Sequence, residues 1–117
     1  AAILGVAEGV ETALAVQLLF GIHCWSTFSA QLMEGFVPPP GVQKVLVFAD
    51  KDRNERGQRA ARTLVQRLWA DGIMAGIRLP EEDIPPGAKG IDWLDVLNAR
   101  RAESPGLELP GASLLLA

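Results

Sequence analysis

The chain has 117 residues, a formal charge of −3, and 49% hydrophobic against 21% charged residues. This is the length of one domain with a single core, and the composition of a folded protein rather than a disordered one. No apolar run approaches the roughly 20 residues that cross a bilayer, no signal-peptide pattern is present, and the negative charge argues against strong nucleic-acid binding by the chain alone, although local basic clusters survive a negative total.

Strand-like and helix-like patterns alternate along the chain. It opens at Ala1 directly in an apolar segment, so a fragment of a longer polypeptide is expected. Ile3 to Ala7 reads as a buried strand ending at Glu8-Gly9. Val10, Ala13, Leu14, Leu18 and Leu19 then fall at helical spacing, and Gly21 supplies a stop. Ile22 to Trp25 is a short second strand. It holds the only histidine, His23, and the only cysteine, Cys24. Neighbours on a strand face opposite ways, so one is expected buried and the other half-exposed rather than both being ligands. A lone cysteine excludes an intrachain disulfide and a thiolate-rich zinc site, and fits a reducing, cytoplasmic location. Ser26 to Ser29 suits a turn with an N-cap, Ala30 to Gly35 a short helix, and Pro38 to Gly41 a stiff connection.

Lys44 to Ala49 is predicted as the third strand. The next helix is the clearest. Ala60/Ala61, Leu64/Val65 and Leu68/Trp69 form an apolar stripe, and Arg59, Arg62, Gln66 and Arg67 fill the remaining arc. This predicts Trp69 in the core, with Asn54 as N-cap, Glu55 at the positive dipole end and Asp71-Gly72 as the stop. Ile73 to Leu79 is a fourth strand, and Pro80 to Gly90 a loop. Asp92 to Arg100 is a last helix, with Asp92 and Asp95 spaced like an acidic capping box. From Ser104 onward an irregular tail is expected, its Leu114 to Leu116 packing elsewhere. Short connections between alternating strands and helices argue a mostly parallel sheet covered on both faces. The unbroken apolar character of the strands agrees.

The chemistry concentrates at strand ends. Asp50 and Asp52 follow the buried run Val45 to Ala49, and residues two apart in an extended segment point the same way, so they share a site while Lys51 points away. The crevice outside the carboxyl ends of such strands is where ligands bind. Two carboxylates roughly 5 Å apart repel by about 3 kcal/mol at an effective dielectric near 20. A divalent cation relieves this, and hard oxygen donors suit Mg²⁺ or Mn²⁺. The plainer alternative is an acidic surface turn. Glu8-Gly9 repeats the arrangement, with a carboxylate at a strand tip and a glycine turning into a helix. If the first and third strands are neighbours, Glu8, Asp50 and Asp52 converge, which is costly without a shared metal or proton. Glu8 otherwise reads as a residue favoured near a helix N-terminus.

On these segments the sequence resembles the Toprim domain of topoisomerases, bacterial-type primases and some nucleases. The residues that carry the likeness are Val6 to Leu14, Val47 to Asp52, then Gly57 and Ala60-Ala61. The forms E-G-x-x-T-A-L, D-x-D followed by N-x-x-G-x-x-A-A, and the late G-x-D-W-x-D-x-L look most like primases of plasmids, phages and other mobile elements. The resemblance runs from Ile3 to about Arg100. It implies a Rossmann-like α/β fold, with a four-stranded, mostly parallel core and helices on both faces. It further implies a catalytic Toprim domain over residues 1–103, with 104–117 as a tail or linker. Glu8 matches the family's acid–base glutamate, and Asp50 and Asp52 match the aspartates that hold Mg²⁺.

The expected activity is nucleotidyl transfer by the catalytic core of a DNA primase, making RNA primers on single-stranded DNA. Partners would be the template, ribonucleotides, and other domains of the parent protein or a helicase, with no membrane. Lys51, Arg53, Arg56 and Arg59 are candidate phosphate contacts, or else a solvated helix face. Asp92 is either a further metal ligand or a cap. Trp25, Trp69 and Trp93 are candidates for base stacking, and Lys89-Gly90 is supple enough to approach a ligand. The chain lacks tyrosine, so the covalent tyrosine of a topoisomerase would lie elsewhere. The zinc-binding and basic subdomains of bacterial primases are also missing, so the isolated segment is expected to be inactive if it stands alone. Competing readings are a Toprim nuclease that activates water with the same acids, a non-catalytic nucleotide- or protein-binding module, and a receiver-like domain phosphorylated on aspartate.

Overall fold

The computed structural model describes residues 3–106 and 108–112; the leucines at 114–116 lie outside them. Ten elements follow in order: β1 (Ile3–Ala7), α1 (Val10–Phe20), β2 (Cys24–Ser26), α2 (Ala30–Glu34), β3 (Lys44–Phe48), β4 (Lys51–Asp52), α3 (Arg56–Ala70), β5 (Met74–Arg78), β6 (Gly90–Ile91) and α4 (Trp93–Glu103). β2, β1, β3 and β5 form one sheet in that order, every pair parallel. β4 and β6 make a separate antiparallel ribbon. No helix among the described residues is long and apolar enough to cross a membrane.

Period-two alternation splits the apolar strands between two cores. Ala7 and Phe48 pack with α1 and α4 through Val16, Leu19, Trp93, Val96 and Leu97. Val6, Val45 and Val47 face the other way, against Met33 of α2 and Ala60, Ala61, Leu64 and Leu68 of α3. The chain thus winds from β1 toward β2 with α1 on one face, then from β3 toward β5 with α3 on the other. The two directions diverge between β1 and β3, which pair from Ile3↔Lys44 to Ala7↔Phe48. That divergence opens a crevice at the strand tips, the place where doubly wound sheets bind ligands.

Local signals explain most boundaries. Gly21 (φ 69°) and Gly72 (φ 79°) adopt the left-handed conformation that stops α1 and follows α3, and Ser29 caps α2 by accepting from Leu32 N at 3.0 Å. Asp92 and Asp95 form the reciprocal capping box of α4. Asn54 does not cap α3. That position falls to Glu55, in the left-handed region at φ 56°, while Asn54 Oδ1 accepts from Arg56 N at 3.0 Å from outside the helix.

Trp69 is not in the core. It is 61% exposed, because the last turn of α3 passes the edge strand β5. Its indole N–H donates to Ala75 O at 2.8 Å, bracing the helix end against that edge. Val10 and Leu14 also face outward, at 49% and 45% exposure, since α1 turns Ala13, Val16 and Leu19 to the sheet. Beyond α4 the backbone docks again. Gly111 N donates to Leu18 O at 2.9 Å, and Leu109 is buried against the α1–α4 core.

Candidate metal and nucleotide site

A cavity of about 370 Å³ occupies the crevice at the tips of β1 and β3. Glu8, Asp50 and Asp52 all line it, together with Thr12, Phe28, Asn54, Arg56 and Lys89. Its apolar floor comes from Met33, Phe48 and Ala49, all buried.

Glu8 follows β1, and its backbone is fixed from β2. Its carbonyl accepts from Ser26 Oγ at 2.8 Å and from Phe28 N at 2.7 Å. The side chain stays exposed at the rim. Asp50 lies deeper, two residues past β3. Ala49 N donates to Arg78 O at 3.1 Å, and Ala49 O accepts the indole N–H of Trp93 at 3.1 Å. Trp93 thereby ties the start of α4 to the tip of β3 and brings Asp92 into the field of Asp50. Burial, then the charges of Asp92 and Asp52, with a smaller part from Glu8, push the Asp50 carboxyl up to about 6; a Trp93 backbone N–H opposes them. Asp50 Oδ1 is buried with no hydrogen-bond partner.

Asp52 belongs to β4, whose partner β6 comes very close. A Cβ on Gly90 would meet Lys51 O at 2.5 Å and Asp52 Oδ1 at 2.8 Å. The ribbon needs glycine there, and the Asp52 carboxylate depends on it. Asp92 caps α4, accepting from Asp95 N at 2.7 Å, and its carboxyl is also raised, first by burial. It therefore combines a structural bond with electrostatic pressure on Asp50.

The cationic side chains divide. Lys51 Nζ donates to Glu82 O at 2.7 Å, and Arg53 donates to Ala88 O and Pro85 O at 2.7 and 3.2 Å. Both hold the 80–89 loop in place. Arg59 Nη1 donates to Asn54 O at 2.9 Å, bracing the turn before α3. Arg56 is on the cavity wall, and Lys89 joins it from the 80–89 loop. Of the tryptophans, none lines the cavity. Trp93 is buried against Phe20 and Phe48 and offers no face to a base. Trp25 packs edge-on to Phe36 beside a separate groove. Cys24 is buried and His23 exposed; burial pushes the Cys24 thiol up to about 12. Sequence reasoning overlooked Phe28, which has neither a charge nor a metal-ligand spacing to mark it, and gave no site role to Thr12, although it stands in the E-G-x-x-T-A-L form.

Among the described residues, no three carboxylate, histidine or cysteine side chains stand close enough to close around one ion. Mg²⁺ rarely takes such an all-protein cage. It typically uses one or two carboxylates, waters and substrate phosphates. Hard oxygens converging on one cavity, one of them buried and without a partner, fit that kind of ion.

No curated protein and no solved structure matches the chain. The family profile of the Toprim domain matches residues 3–103; with its four parallel strands, its covering helices and an acidic crevice where the winding reverses, the chain belongs to the Toprim family.

Proposed function

We propose that this Toprim domain is the nucleotidyl-transfer core of a DNA primase-type enzyme, building RNA primers on single-stranded DNA with Mg²⁺ or Mn²⁺. Toprim domains bind Mg²⁺ in general and usually occur in nucleic-acid enzymes. The observation that carries the reading is the meeting of Glu8, Asp50 and Asp52 in one cavity at the tips of adjacent strands, with Arg56 and Lys89 on its wall. The primase-like forms of the three sequence motifs favour synthesis over cleavage.

Asp50 and Asp52 would hold the ion, which supplies charge neutralisation at the phosphate oxygens. Glu8, solvent-reachable at the rim, takes the proton of the attacking 3′-hydroxyl as the new O–P bond forms and pyrophosphate leaves. Arg56 and Lys89 meet phosphate charge from the side. Asp92 raises the cost of an ionised Asp50 and so strengthens the site's demand for a cation.

The test is to incubate the intact protein with single-stranded template, ribonucleotides and Mn²⁺. Extended primers support the proposal, and shortened template assigns a nuclease instead. Unchanged activity and Mn²⁺ affinity in D50N/D52N would end the catalytic reading in favour of a docking or nucleotide-binding module.

A further inference from the structure

Phe28 is the one cavity residue that pays twice for its place. It is 73% exposed, so its ring gains little from burial. It also sits at φ 71°, and Phe28 and Glu55 are the only non-glycine residues with positive φ among those described. A bulky side chain in that region is strained, and such strain concentrates at binding and catalytic sites. The conformation is held firmly. Phe28 N donates to Glu8 O at 2.7 Å and to Ser26 Oγ at 3.2 Å. Thr27 N donates to Ala7 O at 2.9 Å, and Thr27 Oγ1 to Ser29 O at 3.1 Å. The carbonyl of Glu8 and the turn that carries the ring are therefore one hydrogen-bonded unit.

We propose that Phe28 is the stacking platform for a nucleobase whose attached phosphate would be drawn to a divalent cation held by Asp50 and Asp52. This deepens the reading of the acidic cavity as a nucleotide site and rests on it. The ligand must offer a flat π face to the ring, and negative charge to a cation and to Arg56 and Lys89. A nucleotide has both. An apolar protein segment has neither the charge nor a way to cover three carboxylates without desolvating them. The cavity, about 370 Å³, is in the size range of small-ligand sites. The base belongs either to the incoming nucleoside triphosphate or to a single strand, and the stacking chemistry is the same for both.

The experiment measures affinities of the intact protein in Mn²⁺ for three probes: ATP, a short oligo-dT, and inorganic tripolyphosphate, which has the phosphates without a base. Wild type is compared with F28G, F28L, F28W and D50N/D52N, and the melting temperature of each is recorded. A base–aromatic stack corresponds to a loss of about 5- to 150-fold on its removal. The expected result is that loss in F28G and F28L for ATP or for oligo-dT, near-native binding in F28W, unchanged tripolyphosphate binding in all three Phe28 variants, and weakened tripolyphosphate binding in D50N/D52N. The probe that weakens identifies the source of the base. F28G should melt no lower than wild type, because glycine relieves the φ strain. Native affinity of F28L for both base-bearing probes overturns the proposal, as does an equal loss for tripolyphosphate. Wild type binding neither base-bearing probe more tightly than tripolyphosphate overturns it too. If tripolyphosphate binds D50N/D52N as well as wild type, the metal reading fails, and the base-dependent difference between F28G and wild type still decides the stacking.

Discussion

Asp50 concentrates the electrostatic cost of the site in one residue. Its carboxyl titrates at 3.8 when unperturbed and at about 6 in the fold. Between those values the folded chain holds more protons than the unfolded one, so this group's contribution to stability is present in acid and is lost as pH rises through about 6. D50N removes the loss. In thermal melts without metal, D50N should exceed wild type at pH 7–8, and the difference should vanish as pH falls toward 3.8. With excess Mn²⁺ the order should narrow or reverse at neutral pH, because only wild type gains binding energy there. G90A tests the close approach of the ribbon. A methyl group against Lys51 O and Asp52 Oδ1 should displace that carboxylate and weaken Mn²⁺ affinity measured by titration. Cys24, with its thiol raised to about 12 by burial, should react with maleimide only when the chain unfolds. The placement of the acids at strand tips was legible in sequence, because a carboxylate after an unbroken apolar run is conspicuous. Gly90's role was not, since it depends on a backbone 39 positions earlier.

Elements carry the next level of precision. The boundaries of β1, β3 and α4 follow from runs and caps that are local, and local signals can be read without tertiary knowledge. Trp69 could not be placed that way, because helical periodicity says which stripe a residue belongs to but not where the sheet beneath it ends. The same limit applies to the cations after the acidic pair. Spacing alone made Lys51, Arg53, Arg56 and Arg59 equivalent, whereas hydrogen bonds to backbone carbonyls, distant in sequence for Lys51 and Arg53 and local for Arg59, separate Arg56 from the other three. The double role of Asp92 is open to a clean separation. D92N keeps an acceptor for Asp95 N and should preserve most of the cap, whereas D92A should lower stability by about 0.5–2 kcal/mol in denaturant titrations. Both remove the charge beside Asp50, so both should lower the pH at which Asp50 titrates, as followed by NMR.

Across the whole molecule, two cores share one sheet, and deletion at either should be felt globally. Leu64, fully buried under β3 and β5, should cost about 2–5 kcal/mol as L64A. Removing the chain from residue 104 onward takes away Leu109 and the Gly111 bond to α1, so the shortened protein should melt several degrees lower. That docking had no sequence signature, because an irregular segment rich in Pro and Gly has no periodicity to show which side faces the core. The parallel main sheet, by contrast, was indicated by alternation and continuous apolar strands, whereas the two-residue strands of the β4–β6 ribbon are too short to show a pattern.

The reversal of winding between β1 and β3 assigns the acids to separate stretches of chain. Glu8 comes before the partly exposed bridge over residues 37–41, and Asp50 and Asp52 come after it. Severing that bridge would yield two polypeptides, each with only part of the acidic set. Should they reassociate, the proposed ion site would be whole again only in the joined pair, so Mn²⁺ titration would gauge complementation.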